Sequence, residues 1–307
     1  MPRPVVSDAD CAVLSARLGE PLPGTAPTAP AWLCLEQPGP WGDKALVRSH
    51  LDPAVGAELQ RRGDEVGVRV VLIRRPGHHA DTGPAEPRRV YLAHTRPGAS
   101  WLEQVAVRDA KDLLDLDFGG LARGERPEVG EPCADPLLLV CTNGRRDRCC
   151  ALLGRPVADE LAARHPGRVW ESTHTGGHRL APAAVALPTG YAYGRLDVAT
   201  AEDVLRATAE GVVAPVGCRG RSTWSRFGQV AELVVRERVG ERDADAVLVE
   251  GERADGDGWR VLVAHRDGRA WEVLLGERPQ EPPRPVSCGK APSTPSAVEA
   301  LSVTRVG

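Results

Sequence analysis

The stretch LLLVCTNGRRDRCCALLGRPVADELAARHPGRVWES, residues 137–172, opens on an apolar run, continues at helical spacing from about Arg148 to Arg164, and closes on a second short apolar run. It reads as a strand at Leu137 to Cys141, a helix, and a strand at Arg168 to Ser172. Cys141 ends the first strand, and Cys150, with eight residues between them, lies in the first turn of the helix. Just past the second strand comes His174-Thr175-Gly176-Gly177-His178. Ligands at the carboxyl ends of strands and at a helix start converge at one edge of an α/β sheet, where such folds build their sites. Thiolates and imidazoles are the side chains that hold zinc or an iron-sulfur cluster. Cys141, Cys150, His174 and His178 are therefore candidate metal ligands.

Working outward, strands at Ala184 to Leu187 and Tyr191 to Arg195 and a helix from about Thr200 to Gly211 complete a β-α-β-β-β-α order. The same order occurs upstream: a strand at Ala31 to Leu35, a helix around Pro53 to Arg62, and a strand at Val68 to Ile73. A loop from Pro76 to Pro87 leads to strands near Arg89 to His94 and Leu102 to Val107 and a helix from about Arg108 to Leu116. Two halves with one element order suggest an internal duplication in which only the second half carries the ligand set. From Pro215 onward we expect a helix from about Ser222 to Glu237. A small antiparallel meander at Ala246 to Glu250, Trp259 to Ala264 and Trp271 to Leu275 follows it. The proline-rich stretch Pro279 to Pro292 reads as an extended tail with little structure of its own. The domain boundaries expected are 1–130, 131–214 and 215–307.

The formal net charge of −3 carries no signature of a nucleic-acid-coating protein. Lysine occurs only at Lys44, Lys111 and Lys290, and the abundance of arginine reads first as composition bias. The amino terminus lacks the apolar core of a secretory signal and no apolar run is long enough to span a bilayer, so a cytoplasmic protein is expected. In a reducing compartment eight cysteines do not make a disulfide framework, and clustered ones read as ligands or redox thiols. Cys11, Cys34, Cys133, Cys218 and Cys288 are scattered along the chain, and buried inert cysteine is the default for each. His50, His78, His79, His94, His165 and His265 have no cysteine at ligand spacing and read as ordinary surface or core histidines. Trp32, Trp41, Trp170 and Trp224 read as core.

Gly176-Gly177 makes a regular helix between the two histidines improbable and calls for a tight loop around a small object. A spacing of eight between cysteines is long for one tetrahedral zinc, though not forbidden. A [2Fe-2S] cluster has a wider footprint and accepts two cysteines on one iron and two histidines on the other. The alternating Cys/His order of Rieske proteins is absent. Cys149 adjoins Cys150, and either supplies a thiolate; Cys149 then reads as a buried helix residue or a spare thiol.

Cys141-x8-Cys150 followed by His174-x-Gly-Gly-His178 resembles the sucrase/ferredoxin-like family, which contains a thioredoxin-like ferredoxin domain. Supporting segments are Trp32-Leu-Cys-Leu-Glu36, Gly39-Pro-Trp-Gly42, Gly220-Arg-Ser-Thr-Trp224 and Ser287-Cys-Gly-Lys290. The resemblance covers most of the chain. It implies two tandem thioredoxin-like βαβββα units, followed by the C-terminal helix and meander. It also implies a [2Fe-2S] cluster on Cys141, Cys150, His174 and His178, with Cys150 favoured over Cys149. The expected role is one-electron transfer or redox sensing, coupled to protons on the imidazoles. Sucrase activity is not expected, because no carboxylate pair is evident for glycoside hydrolysis. By analogy with thioredoxin-like folds, Pro182 is a candidate cis-proline, against the trans form most prolines adopt. The rivals are a structural or regulatory zinc protein on the same four ligands, and a thiol-disulfide oxidoreductase using Cys149 and Cys150 without a C-x-x-C pair. Arg145, Arg146 and Arg148 either dock an acidic redox partner, whose identity the sequence does not give, or merely solvate the loop.

Overall fold

Apolar runs without a charged face need cover on both sides, and such runs build the large sheet of the computed structural model, which describes residues 6–77 and 87–307. His78 and His79 lie outside the described residues. After a short helix α1 (Cys11–Arg17) come β1 (Ala31–Glu36), α2 (Ala45–Arg48), α3 (Pro53–Val66), β2 (Val68–Arg74), β3 (Arg88–His94), β4 (Trp101–Val107), α4 (Phe118–Arg123) and β5 (Glu131–Pro132). The second half runs β6 (Leu137–Cys141), α5 (Arg148–Arg164), β7 (Val169–Ser172), β8 (Ala184–Leu187), β9 (Tyr191–Tyr193) and α6 (Val198–Ala209). The helix expected at 108–116 is instead a 3-10 turn at Ala110–Asp115, because Leu116 is extended and α4 starts afresh at Phe118.

In the first half β2 is parallel to β1, β3 antiparallel to β1, and β4 antiparallel to β3. The second half has the same pattern, with β7 parallel to β6, β8 antiparallel to β6, and β9 antiparallel to β8. The halves join where Ile73 and Arg74 of β2 pair antiparallel with Ser172 and Glu171 of β7. The result is one mixed ten-stranded sheet, ordered β10-β9-β8-β6-β7-β2-β1-β3-β4-β5, where β10 (Cys218–Arg221) follows α6 in the chain. From that junction outward the strand order is the same in both directions.

Val55 and Leu59 of α3 pack on Leu33, Leu72 and Leu92. Val157 and Leu161 of α5, with Val204 and Leu205 of α6, pack on Leu138, Val140 and Val169. A third cluster joins Trp32, Ile73 and Tyr91 to Leu139, Trp170 and Val185, so the opposite faces of the two halves share one core. Burying a leucine there contributes about 1.5–3 kcal/mol. Among the described residues no helix is long and apolar enough to cross a membrane.

The remaining chain forms α7 (Arg226–Val239), β11 (Val247–Asp255), β12 (Gly258–His265), β13 (Ala270–Pro279), β14 (Arg284–Pro285), β15 (Pro292–Ser293) and β16 (Ser296–Arg305). Ser225 caps α7 by accepting hydrogen bonds from the Phe227 and Gly228 amides. The expected meander is present, but β16 pairs antiparallel with β13 and makes it a four-stranded sheet, β11-β12-β13-β16, packed on α7. The proline-rich stretch is not a loose tail. β14 pairs with β15, and Arg284, 3% exposed, binds Glu20 and the Gln280 and Pro282 carbonyls. Prolines cannot donate to a ladder, so this strap is fixed by side chains reaching elements far off in sequence.

Candidate metal centre

The sheet delivers the four expected ligands to one edge. Cys141 ends β6, and Asp147 caps α5 by accepting the Cys149 amide hydrogen at 2.9 Å, which sets Cys150 in the first turn. The helix approaches the strand end so closely that a Cβ on Gly154 would stand 2.4 Å from the Cys141 carbonyl oxygen. His174 follows β7, and His178 opens a 3-10 turn at His178–Leu180. Gly176 and Gly177 between them have φ of +94° and +77°, left-handed values that favour glycine. A Cβ on Gly177 would also stand 2.4 Å from Nη2 of Arg219, so both backbone and space demand the glycine. The peptide before Pro182 is cis.

Cys141, Cys150 and His174 place ligand atoms all within 4.8 Å of one another. Cys141 Sγ lies 4.0 Å from His174 Nδ1, and the His174 and His178 rings stand 4.9 Å apart, tilted by 35°. His178 is outside the tight trio. Both cysteines are buried, and they share a proton: the hydrogen bond from Cys150 holds the Cys141 thiol well below its ordinary range, while the same bond pushes Cys150 well above it. Burial pushes His178 down, which keeps its imidazole neutral as a ligand requires. Its Nδ1 is buried without a hydrogen-bond partner, while the ring bonds the backbone of Val286 in the strap. A buried nitrogen without a partner on a ring held by a backbone group is the arrangement metal-binding imidazoles use.

The frame around these donors is cationic. Arg219 is fully buried; its Nη1 donates to the Gly176 carbonyl at 3.1 Å and its Nε to Thr25 Oγ1 at 3.0 Å. Arg69 Nη2 donates to the His174 carbonyl at 2.9 Å. Burial pushes both guanidiniums down, and the Cys141 charge opposes that shift in each. Next to the site Arg74 and Glu171 form a buried ion pair at 2.6 Å, Thr142 Oγ1 donates to Glu171 at 2.7 Å, and Asn143 Nδ2 donates to the Gly42 carbonyl at 3.1 Å. Of the segments that accompany the Cys/His motif in sequence, Gly39–Gly42 thus reaches the loop that follows Cys141. An open cleft of about 540 Å³ beside His174 is lined by Lys44, Arg69, Asn143 and Arg146.

A second sulfur group was missed by reading the cysteines as scattered. Cys11 at the start of α1, Cys149 in α5 and Cys288 in the strap meet with sulfurs 3.4–3.8 Å apart, beside Asp147. Cys11 and Cys149 are buried as expected, Cys149 in the first turn of α5, but they and the half-buried Cys288 are not scattered in space. The signal in sequence was Ser287-Cys-Gly-Lys290, noted beside the Cys/His motif without a partner. Cys34 and Cys218 are buried apart from both groups, with their thiols pushed up by burial, Cys218 to about 12.

Fold and site define a mixed α/β protein whose large sheet carries, at one edge, a buried Cys/His group able to hold a metal. Residues 22–220 match the family described as sucrase/ferredoxin-like, and the chain belongs to it. No curated protein and no solved structure matches the chain.

Proposed function

We propose that Cys141, Cys150, His174 and His178 hold a [2Fe-2S] cluster and that the protein is a one-electron carrier or redox sensor. The observation that carries this reading is the spread of the four donors. Around one zinc, thiolate and imidazole ligand atoms sit about 3.3–3.8 Å from one another. Here Cys141, Cys150 and His174 lie within 4.8 Å of one another and the fourth donor, His178, stands beyond that trio. Two thiols and two imidazoles over a wider footprint suit a two-iron centre better than the zinc alternative. Residues 131–214 are then the cofactor-bearing thioredoxin-like unit, 1–130 its counterpart without ligands, and 215–307 the supporting helix, sheet and strap. The β7-β6-β8-β9 order supports that division. The reading places the protein in the cytoplasm, where such thiols stay reduced.

When bound, a cluster of this kind supplies a one-electron couple. Arg69 and Arg219 hold positive charge against the site and favour the state with the extra electron. The Thr175 amide donates to the Cys141 sulfur and acts in the same sense. His178 is tied to the strap, whereas His174 is half-buried and lines the cleft, so His174 is the imidazole placed to exchange a proton with solvent. Exposed Arg146 lines that cleft and exposed Arg145 a second one that shares Asn143 with it, and both suit an acidic redox partner.

Protein purified without oxygen is expected to be brown, with iron and acid-labile sulfide in equal amounts. His178→Cys should keep the iron and lower the midpoint potential. Protein without iron or sulfide, or a potential indifferent to His178→Cys and His174→Cys alike, would sink the reading.

A further inference from the structure

The thiols of Cys11, Cys149 and Cys288 come from an N-terminal helix, the first turn of α5 and the C-terminal strap. The sulfurs are 3.8 Å apart for Cys11 and Cys149, 3.4 Å for Cys149 and Cys288, and 3.6 Å for Cys288 and Cys11. Asp147 Oδ2 and Oδ1 lie 3.6 and 3.8 Å from Cys11 Sγ. Tetrahedral zinc with bonds of about 2.3 Å to sulfur and 2.0–2.2 Å to oxygen spaces its sulfurs about 3.8 Å apart and a carboxylate oxygen about 3.5 Å from them. The three sulfurs and the Asp147–Cys11 pair stand close to that spacing, and all four donors lie within 4.8 Å of one another.

Charge points the same way. Asp10 and Asp147 are 5% and 4% exposed, and Asp10 Oδ1 lies 3.7 Å from Cys288 Sγ. Asp10 is paired with Arg148 Nη1 at 3.4 Å, so the buried Asp147 carboxylate against three thiols is the charge left for a cation to neutralise. Asp147 is held in place by the Cys149 amide at 2.9 Å, the Ser287 hydroxyl at 2.8 Å and the Cys288 amide at 2.8 Å, the outer hydrogen bonding that metal-binding carboxylates show.

We infer that Cys11, Cys149, Cys288 and Asp147 form a second metal site, for a thiophilic divalent cation such as Zn²⁺, which clasps the N-terminal helix and the C-terminal strap to α5. Cys11 and Cys288 lie outside residues 22–220, the part of the chain matched by the family. The site is separate from the proposed cluster and stands or falls on different cysteines. The clasp also serves it, since the strap it fastens carries Val286, whose backbone bonds His178.

The test is zinc and iron content of the full-length protein, with Co²⁺ as a coloured replacement, in wild type, Cys11→Ser and Cys288→Ser. Wild type is expected to hold one zinc per chain or to take up one Co²⁺ with sulfur-to-cobalt charge-transfer absorption. Each serine variant should lose zinc to a competing chelator at least tenfold more readily, with iron unchanged. Because Cys11→Ser removes a buried thiol and risks misfolding, a second measurement uses wild type alone, where added Zn²⁺ should slow alkylation of the half-buried Cys288 at least tenfold. Failure of wild type to bind Zn²⁺ or Co²⁺, zinc equally retained in folded variants, unprotected alkylation, or a disulfide among the three cysteines would each overturn the assignment.

Discussion

Cys149 and Cys150 are neighbours in the chain and belong to opposite environments. Successive side chains on an α-helix point about 100° apart, so the first turn of α5 sends one sulfur to Cys141 and the histidines and the other to Cys11 and Cys288. The first group is framed by the guanidiniums of Arg69 and Arg219, and the second by the carboxylates of Asp10 and Asp147. A centre that must accept an electron is helped by fixed positive charge, and one that must hold a dication by fixed negative charge. On the proposed readings, two sulfur groups with the same thiol chemistry take different tasks from what surrounds them.

The comparison breaks most sharply on the two cysteines. Cys150→Ser is expected to abolish the iron signal, cutting iron per chain by about tenfold or more, whereas Cys149→Ser should leave iron near the wild-type value and remove zinc. Iron and zinc counts on the two purified variants read both outcomes. Equal iron loss in the two would mean that the sulfur groups are not independent.

How much of this was legible in sequence follows from where the information sits. Strands β1, β6 and β8 are short apolar runs bounded by polar turns, and α5 is expected and found over Arg148–Arg164. The first centre draws its ligands from residues 141–178, a local span that topology brings together, so its motif is visible as text. Strand β10 was not visible because Cys218-Arg219-Gly220-Arg221 has no apolar alternation, yet both of its arginines are fully buried. Arg219 is spent on the glycine loop, and Arg221 on the Thr95 and Ala244 carbonyls. The second sulfur group depends on partners up to 277 residues apart. Helix α1 is only seven residues long and the strap is proline-rich, and neither has a periodicity that announces what it packs against.

The cationic frame of the first group makes a smaller, graded prediction. Arg219→Gln keeps donors for the Thr25 and Gly176 carbonyls and removes one buried positive charge, so the midpoint potential should fall, by an amount on the order of 50 mV. Asp10→Asn, at the other group, should leave the potential nearly unchanged. Protein-film voltammetry of both variants separates the frames. A potential lowered by neither change would mean that Arg219 serves structure alone.

The smallest effect concerns two imidazoles, each with one buried nitrogen that has no partner. His178, its ring beside that of His174, buries an unpartnered Nδ1, whereas His94, in the half of the sheet without ligands, buries an unpartnered Nε2 while its Nδ1 donates to the Leu121 carbonyl at 3.2 Å. A Cβ on Gly124 would stand 3.0 Å from that Nε2, so the ring faces a wall rather than a ligand. Burial pushes His94 down from its ordinary value. Below about pH 6.5 the unfolded histidine takes a proton that the folded one refuses. Stability from this group is therefore complete above about pH 6.5, falls as pH drops toward the lowered folded value, and levels off beneath it. The slope cannot exceed that of one proton, about 1.4 kcal/mol per pH unit. Urea unfolding across that range should show a shallower pH dependence for His94→Gln than for wild type, with or without iron bound. An unchanged slope would mean that His94 is protonated in the fold, and the contrast between a walled imidazole and a ligating one would be lost.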